Sequence, residues 1–312
     1  MKIPLALSLI LLIHASLCAR TFTSKEGKAL EAEFVSTTET HVTVRREADG
    51  RRFTIPIASL SDDDQVWIAS QGKEADGGGA VALPDSVASV VEARGTLLFE
   101  DDFNREDSDE SDDLGTSWTT NSQSRAQGAK QNDLVEGELV MTISPKADHA
   151  ISTVHNTAEP YGDAVVSLRM KLEEGDQLKL AYNDKEEKSV WAGHINGVIM
   201  TPERLTLSDE REGRFRLDLR NGKETPEGKA ALEEALKSTD KTFPLDLEAG
   251  EWHEVVTWHD GDTLKVYIDG DEVGTHTSPG FGHGTKRQFV FAVAKHAVVD
   301  DLKIWKLAPE AE

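Results

Sequence analysis

The sequence holds one cysteine, Cys18, so nothing after residue 18 can form a disulfide or a thiolate centre. Aromatic residues are sparse at 6% of 312 residues, which makes each of the six tryptophans informative about a core or a binding surface. Basic residues are outnumbered, with 34 Lys and Arg against 57 Asp and Glu and a formal net charge of −23 at pH 7. A field of that sign repels phosphates, which argues against nucleic acid and anionic membrane surfaces as partners. Beyond the first nineteen residues no apolar run approaches the ~20 residues needed to span a bilayer.

Residues 1–19 read MKIPLALSLILLIHASLCA: an early Lys2, an apolar run and then small residues. This is the pattern of a secretory signal peptide, with cleavage expected after Ala19 and a mature N-terminus at Arg20. The alternative, lipid anchoring at Cys18, needs a small residue where Leu17 stands. An exported chain of this size without disulfides needs a core large enough to stand alone, and it points to the periplasm, the cell envelope or the outside of a bacterium. No membrane insertion is expected after cleavage.

Three parts follow the leader. Residues 20–70 form a compact part, with apolar–polar alternation over 29–37, 41–46 and 52–57 around an Asp49-Gly50 turn. Ser61 with Asp64 fits a capping box, and the run Asp62-Asp63-Asp64 suits a helix N-terminus. Trp67 and Ile68 would pack that helix on a curled barrel of about five strands. Residues 71–94, with Gly77-Gly78-Gly79 and few large apolar residues, read as a flexible linker. Residues 95–312 read as one large all-β sandwich, with strands expected at 97–103, 134–144, 165–172, 177–182, 214–219, 288–294 and 298–307. A helical insertion is expected at 227–238, where Thr225 offers an N-cap and Pro226 a first helical position.

Residues 252–273, WHEVVTWHDGDTLKVYIDGDEV, carry the strongest local signal: two Asp-Gly pairs between β-branched and aromatic runs. A turn centred on Asp260-Gly261 pairs Thr257 with Leu264, Val255 with Val266 and His253 with Ile268 on a core face. Trp252, Glu254, Val256, Trp258, Lys265 and Tyr267 then share the other face. Glu254 and Lys265 are read as a cross-strand ion pair.

The run Arg20-Thr21-Phe22-Thr23-Ser24, Gly27, Leu30-Glu31-Ala32-Glu33-Phe34, Val42, Val44, Gly50-Arg51, Ile55-Pro56-Ile57, Leu60-Ser61 and Asp64 resembles the endocytic-adaptor homology (SHD) module, an SH3-like barrel. That resemblance implies docking of a peptide or protein. The FEDDF opening, the Trp-His hairpin and the closing Val299-Asp300-Asp301-Leu302 resemble the concanavalin and laminin-G-like jelly rolls. More narrowly they resemble the lectin-like domain of the bacterial keto-disaccharide hydrolase type, which implies glycan contact or glycoside hydrolysis.

Retaining glycosidases need two carboxylates about 5–5.5 Å apart, set two or four positions apart on one strand, and no strand here shows that E-x-D-x-x-E arrangement. Asp209-Glu210-Arg211-Glu212 reads as a solvated turn before Gly213. Eight histidines fall in the large domain with no ligand spacing, so no zinc site is indicated. Trp258 and Tyr267, with Lys265 and Glu254 between them, form a candidate sugar face that Trp191 and His194 would extend. Residues 100–113 hold nine acidic residues in fourteen, the composition of a solvated loop. No cofactor is called for, except that sandwiches resembling this one hold a structural calcium between first and last strands, here at Asp101, Asp102, Asp300 and Asp301. The reading is an exported, non-catalytic binding or bridging protein, with the barrel docking a peptide or protein and the sandwich contacting glycan or protein. The alternatives are a glycoside-acting hydrolase and a purely structural assembly protein.

Overall fold

The computed structural model describes residues 20–25, 27–37, 41–47, 52–70, 81–105, 111–115 and 117–309. The leader at 1–19, the Asp49-Gly50 turn, the glycine-rich 71–80 and the middle of the acidic run at 106–110 lie outside the described residues. The chain divides into two compact units at residues 79 and 80.

The first unit is an antiparallel sheet of four strands in chain order, Arg20–Thr23, Ala29–Thr37, His41–Arg46 and Arg52–Pro56. A bridge between Ser24 and Leu60 takes the place of an expected fifth strand. Helix Asp62–Ser70 follows, and its start is the expected cap. The Asp64 amide donates to Ser61 Oγ at 3.3 Å, and Ser61 Oγ donates to Asp64 Oδ2 at 2.8 Å. The buried Asp64 carboxylate also accepts from the Thr23 amide at 2.7 Å and from Arg20 at 2.5 Å, which ties the helix to the first strand. Trp67 meets Phe22 and Phe34 edge-on over a core that includes Ala32, Val42, Val44, Leu60 and Ile68.

The second unit is a sandwich of two antiparallel sheets. One holds seven strands, in the order Asp240–Pro244, Arg204–Asp209, His194–Thr201, Leu178–Asn183, Lys286–Val293, Ile151–Tyr161 and Trp118–Thr120. The other holds eight: Asp271–Thr277, Thr263–Ile268, Trp252–Asp260, Ala164–Lys171, His296–Leu307, Glu138–Thr142 and Asn132–Val135, with Gly95–Asp101 also paired to His296–Leu307. The first and last strands of the unit are therefore neighbours, as the opening and closing motifs imply. Leu178, Leu180, Val198, Leu207, Phe289 and Phe291 from one sheet interdigitate with Leu168, Val255, Leu264, Val266 and Ile304 from the other. The fold is all-β with a jelly-roll sandwich, and the insertion forms helix Pro226–Thr239, capped by Thr225 Oγ1 accepting from the Gly228 amide.

Four local expectations change. In the hairpin, Asp260 pairs with Thr263, Trp258 with Lys265 and Val255 with Ile268. The turn residues are Gly261 and Asp262, with Gly261 at φ +54, so the register slips by two from the one expected. A slip of two leaves every side chain on its own face, which is why the face assignment survives. The second Asp-Gly does form its turn, with Asp269 and Gly270 both at positive φ.

The expected Glu254–Lys265 pair gives way to other partners for the same reason. Lys265 Nζ lies 4.4 Å from the Trp258 ring, and Glu254 accepts from the Ala82 amide at 3.2 Å. The expected strand at 214–219 is instead a single bridge at Arg216 followed by helix Leu217–Gly222.

The larger correction concerns the end of the expected linker. Asp85–Arg94 is a helix whose Val87, Val90 and Val91 lie on one side, the i, i+3, i+4 stripe of an amphipathic helix. Val87 is fully buried, with Val90 and Val91 packed beside it, against Trp258, Tyr267, Val165 and Val256. Gly95 then lets the chain turn straight from helix into strand, since a Cβ there would sit 2.5 Å from the Val91 carbonyl oxygen.

Candidate functional site

That helix decides the fate of the expected sugar face. Trp258 is 8% exposed and Tyr267 6%, both in a core shared with Val81, Val87 and Leu307. A sugar has no access to their rings, so Trp258, Tyr267, Lys265 and Glu254 do not make the stacking surface expected of them. Trp191 and His194 lie on the other sheet, in surroundings of a different kind.

Trp191 is 49% exposed. It stands in a turn, Trp191–Gly193, in which Ala192 adopts φ +52 and Gly193 φ +76. A side chain at Gly193 would collide with the Asp184 carbonyl oxygen at 2.5 Å, so only glycine lets the turn close on that loop. Asp184 anchors the same loop, its buried carboxylate accepting from His283 at 2.9 Å, Thr285 at 2.8 Å and Arg287 at 2.7 Å. Burial would raise this carboxyl, but those donors and the Glu186 amide outweigh it and hold it at about 2.

A second loop, 210–217, is laced to the first by backbone hydrogen bonds. The Trp191 amide donates to Phe215 O at 2.8 Å, and the Leu217 amide to Ser189 O at 3.0 Å. Phe215 stacks on His194 with ring centroids 4.1 Å apart and planes 17° off parallel. Arg220, on the short helix that follows, lies 4.4 Å from the Trp191 ring centroid and 5.7 Å from that of Phe215.

Beneath these rings sits Glu210, at 1% exposure. Lys179 Nζ donates to its Oε1 at 2.6 Å, and His194 Nδ1 stands 3.4 Å from its Oε2. Burial pushes the carboxyl up, while the Lys179 charge and His194 pull it further down, so Glu210 is ionised at neutral pH. Asp209 is buried as well, accepting from Ser278 Oγ at 2.5 Å and from the Gly280 and Glu212 amides at 2.8 and 3.0 Å. The 209–212 segment is thus a buried anchor at its first two residues, not the solvated turn its composition implies. Sequence reasoning also missed Lys179, Phe215 and Arg220. The signal for Lys179 was its position among the apolar neighbours Leu178 and Leu180; for the other two it was weak, because a strand was expected there.

A groove of about 490 Å³, lined by Thr201, Glu203, Arg204, Thr242, Phe243 and Pro244, lies at the end of strands His194–Thr201 and Arg204–Asp209 opposite to His194 and Glu210. It is therefore distinct from the Trp191 cluster.

The four aspartates read as calcium ligands are not alike. The Asp101 carboxylate is engaged by the Phe103 amide at 2.9 Å, by Arg105 at 2.6 Å and by Trp118 Nε1 at 2.7 Å, so both of its oxygens already accept from the protein. Asp300 and Asp301 are buried in succession on the last strand, with Arg169 3.7 Å from Asp301 Oδ2. Burial, then the neighbouring Asp301, raises the Asp300 carboxyl to about 8; burial raises Asp301 to about 6. Among the described residues no three His, Cys, Asp or Glu side chains gather as a metal centre. Asp112, at the far end of the acidic run, is likewise no solvated side chain, since it accepts from the Gln131 and Asn132 amides at 2.9 and 2.7 Å.

The family described as the Concanavalin A-like lectin/glucanases superfamily matches residues 196–312, which include Arg204–Asp209, Asp240–Pro244, Lys286–Val293 and most of His194–Thr201 from the seven-stranded sheet, and the hairpin. The large unit is a concanavalin-like sandwich. Similar solved structures include SCLam, a non-specific endo-beta-1,3(4)-glucanase from family GH16, at 10% identity and a TM-score of 0.49, over 74% of this chain and 96% of that one. A laminarinase from Flavobacterium sp. UMI-01 is similar at 13% identity and a TM-score of 0.47, over 68% of this chain and all of the other. A sialidase is similar at 12% identity and a TM-score of 0.45; 85% of this chain matches 20% of its length. None of these likenesses bears on activity. No curated protein matches the chain.

Proposed function

We propose that this chain is an exported binding protein whose sandwich holds glycan at Trp191 and His194. The observation that carries this reading is the half-exposed Trp191, fixed by a glycine-dependent turn and by Arg220 behind it. A flat, pre-positioned indole suits the C–H face of a pyranose, and little freedom is lost on binding. The ionised Glu210, sealed below the aromatic layer and neutralised by Lys179, supports binding rather than acid–base chemistry, because it cannot touch a ligand. The small N-terminal unit is read as an SH3-like, SHD-type barrel that docks a peptide or protein, so the whole bridges two partners. Among the described residues no helix is long and apolar enough to cross a membrane.

The test is calorimetry of the full chain against neutral and acidic oligosaccharides. Trp191→Ala is expected to weaken binding by about 1–3 kcal/mol, the scale of a lost aromatic anchor. Turnover of any disaccharide above that of heat-inactivated protein would replace this reading with the hydrolase. A structural calcium at Asp102, Asp300 and Asp301 is proposed alongside it. The buried Asp301 Oδ2, which accepts no hydrogen bond among the described residues and has only the Arg169 charge at 3.7 Å, supports that proposal, and a higher melting temperature in millimolar calcium than in chelator is its expected result.

A further inference from the structure

The residue behind Trp191 indicates what kind of sugar the surface takes. Four arginines, 211, 214, 216 and 220, fall within ten residues of an otherwise acidic chain. Three of them are spoken for. Arg211 faces Glu212 at 3.7 Å, Arg214 pairs with Asp240, and Arg216 holds Asp218 at 2.7 Å. Arg287, across the cluster, holds Asp184 and Glu186. Arg220 alone among these has no carboxylate against it among the described residues; it lies over the Trp191 and Phe215 rings. A guanidinium has five N–H donors in a planar fork and cannot be neutralised by deprotonation. Lying 4.4 Å from the indole centroid with no carboxylate against it, it keeps those donors for something else.

We propose that Trp191 and Arg220 form a site for sugars bearing a carboxylate, that is, uronic-acid units of an acidic glycan. This rests on the glycan reading above and narrows it. A pyranose stacked on the open part of the indole carries its C5 carboxylate at the ring edge, beside the guanidinium. A charge-assisted, two-pronged hydrogen bond to Arg220 then separates a uronic acid from its neutral counterpart, whose hydroxymethyl group offers a single uncharged oxygen. The His194 ring, partly exposed and stacked on Phe215, lies on the same patch. Elsewhere the negative field of the chain disfavours anionic ligands, so the one charge of this run that faces no carboxylate among the described residues, Arg220, marks where one is admitted.

The experiment titrates the full-length protein with trisaccharides of galacturonate, mannuronate and glucuronate, each beside its neutral counterpart, at low salt and at 0.5 M salt. A uronate bound at least ten-fold tighter than its neutral partner, with the advantage shrinking in salt, is the expected result. Arg220→Gln is expected to bring the uronate down to the neutral level, Arg220→Lys to keep part of the preference, and Trp191→Ala to weaken acidic and neutral sugars alike. Equal affinity for uronate and neutral sugars overturns the acidic preference and leaves the glycan reading standing. Binding of neither class overturns both. Should Arg220→Gln fail to fold, the acid-to-neutral ratio of the unaltered protein still decides.

Discussion

Lys179 reaches Glu210 at 2.6 Å by lying across Gly197, where a Cβ would stand 2.6 Å from Lys179 Cε. The lysine stands on one neighbour of His194–Thr201 and the carboxylate just past the end of the other, Arg204–Asp209, and the missing side chain in the strand between is what lets the two charges meet. Removing one partner strands the other. Lys179→Met leaves a fully buried carboxylate without its cation and is expected to cost about 3–5 kcal/mol at neutral pH.

The sign of the pH dependence follows from the lowered Glu210 carboxyl. A folded-state pKa below the unfolded value means that the unfolded chain binds the extra proton first. The pair therefore stabilises the fold above about pH 4.3, the ordinary glutamate value, and that contribution is lost as pH falls through the folded value. In Lys179→Met the carboxyl is pushed up instead, so the variant should gain on the parent as the buffer is acidified from pH 7 to 4. Urea midpoints at four pH values check this. Parallel curves for the two proteins would mean that the ion pair carries no net energy.

The covered hairpin gives a second prediction. Trp258 and Tyr267 share a core with Val87, so Trp258→Ala should behave as a large-to-small core change, at about 3–5 kcal/mol, and should leave oligosaccharide binding at Trp191 untouched. Val87→Asp attacks the same contact from the helix side, placing an unpaired charge under the sheet, and should also lower the melting temperature. If Trp258→Ala melts with the parent, the helix does not cover the ring in solution and the sugar face on this sheet is open after all.

These cases show what could be read from residues alone. Strand parity put Trp258 and Tyr267 together on one face, because alternation survives a two-residue slip in register. What covers that face was not legible in the same way. Val87, Val90 and Val91 are β-branched residues in a stretch that follows three glycines, and their helical spacing is only three residues deep. The Asp260-Gly261 turn was misplaced by one residue because Gly261-Asp262 is an equally good two-residue turn, and only the pairing of Asp260 with Thr263 tells them apart. Glu210 was taken for a solvated residue because its burial depends on Lys179, thirty-one positions away, and on Phe215 and His194 above it. The sandwich, the helical insertion and the Ser61 cap depend on local pattern, and they were legible; the meeting of first and last strands, far apart in the chain, came only with the resemblance to jelly rolls.

Lys286 supplies the last prediction. It is fully buried, and its ammonium donates to three backbone carbonyls, Gly162 at 2.9 Å, Phe281 at 2.9 Å and His283 at 3.0 Å. All three N–H groups are thereby used, and the loop 278–285 is stapled to the turn at Gly162. Burial pushes the amine down to about 7, against a smaller pull upward from Asp163. Because the ordinary lysine value is about 10.4, the unfolded chain holds a proton that the folded chain has released between those two pH values. Stability should therefore rise with pH across that window, by as much as the shift allows, before other groups titrate. Lys286→Met keeps the apolar stem, deprives three carbonyls of their donor and should cost about 1–3 kcal/mol at pH 7, the scale of buried acceptors left unpaired. It should also lack the rise. Chemical denaturation of parent and variant at pH 7, 8 and 9 measures both effects; a parent whose stability runs parallel to that of the variant over that range would show that the lysine stays charged in the folded protein.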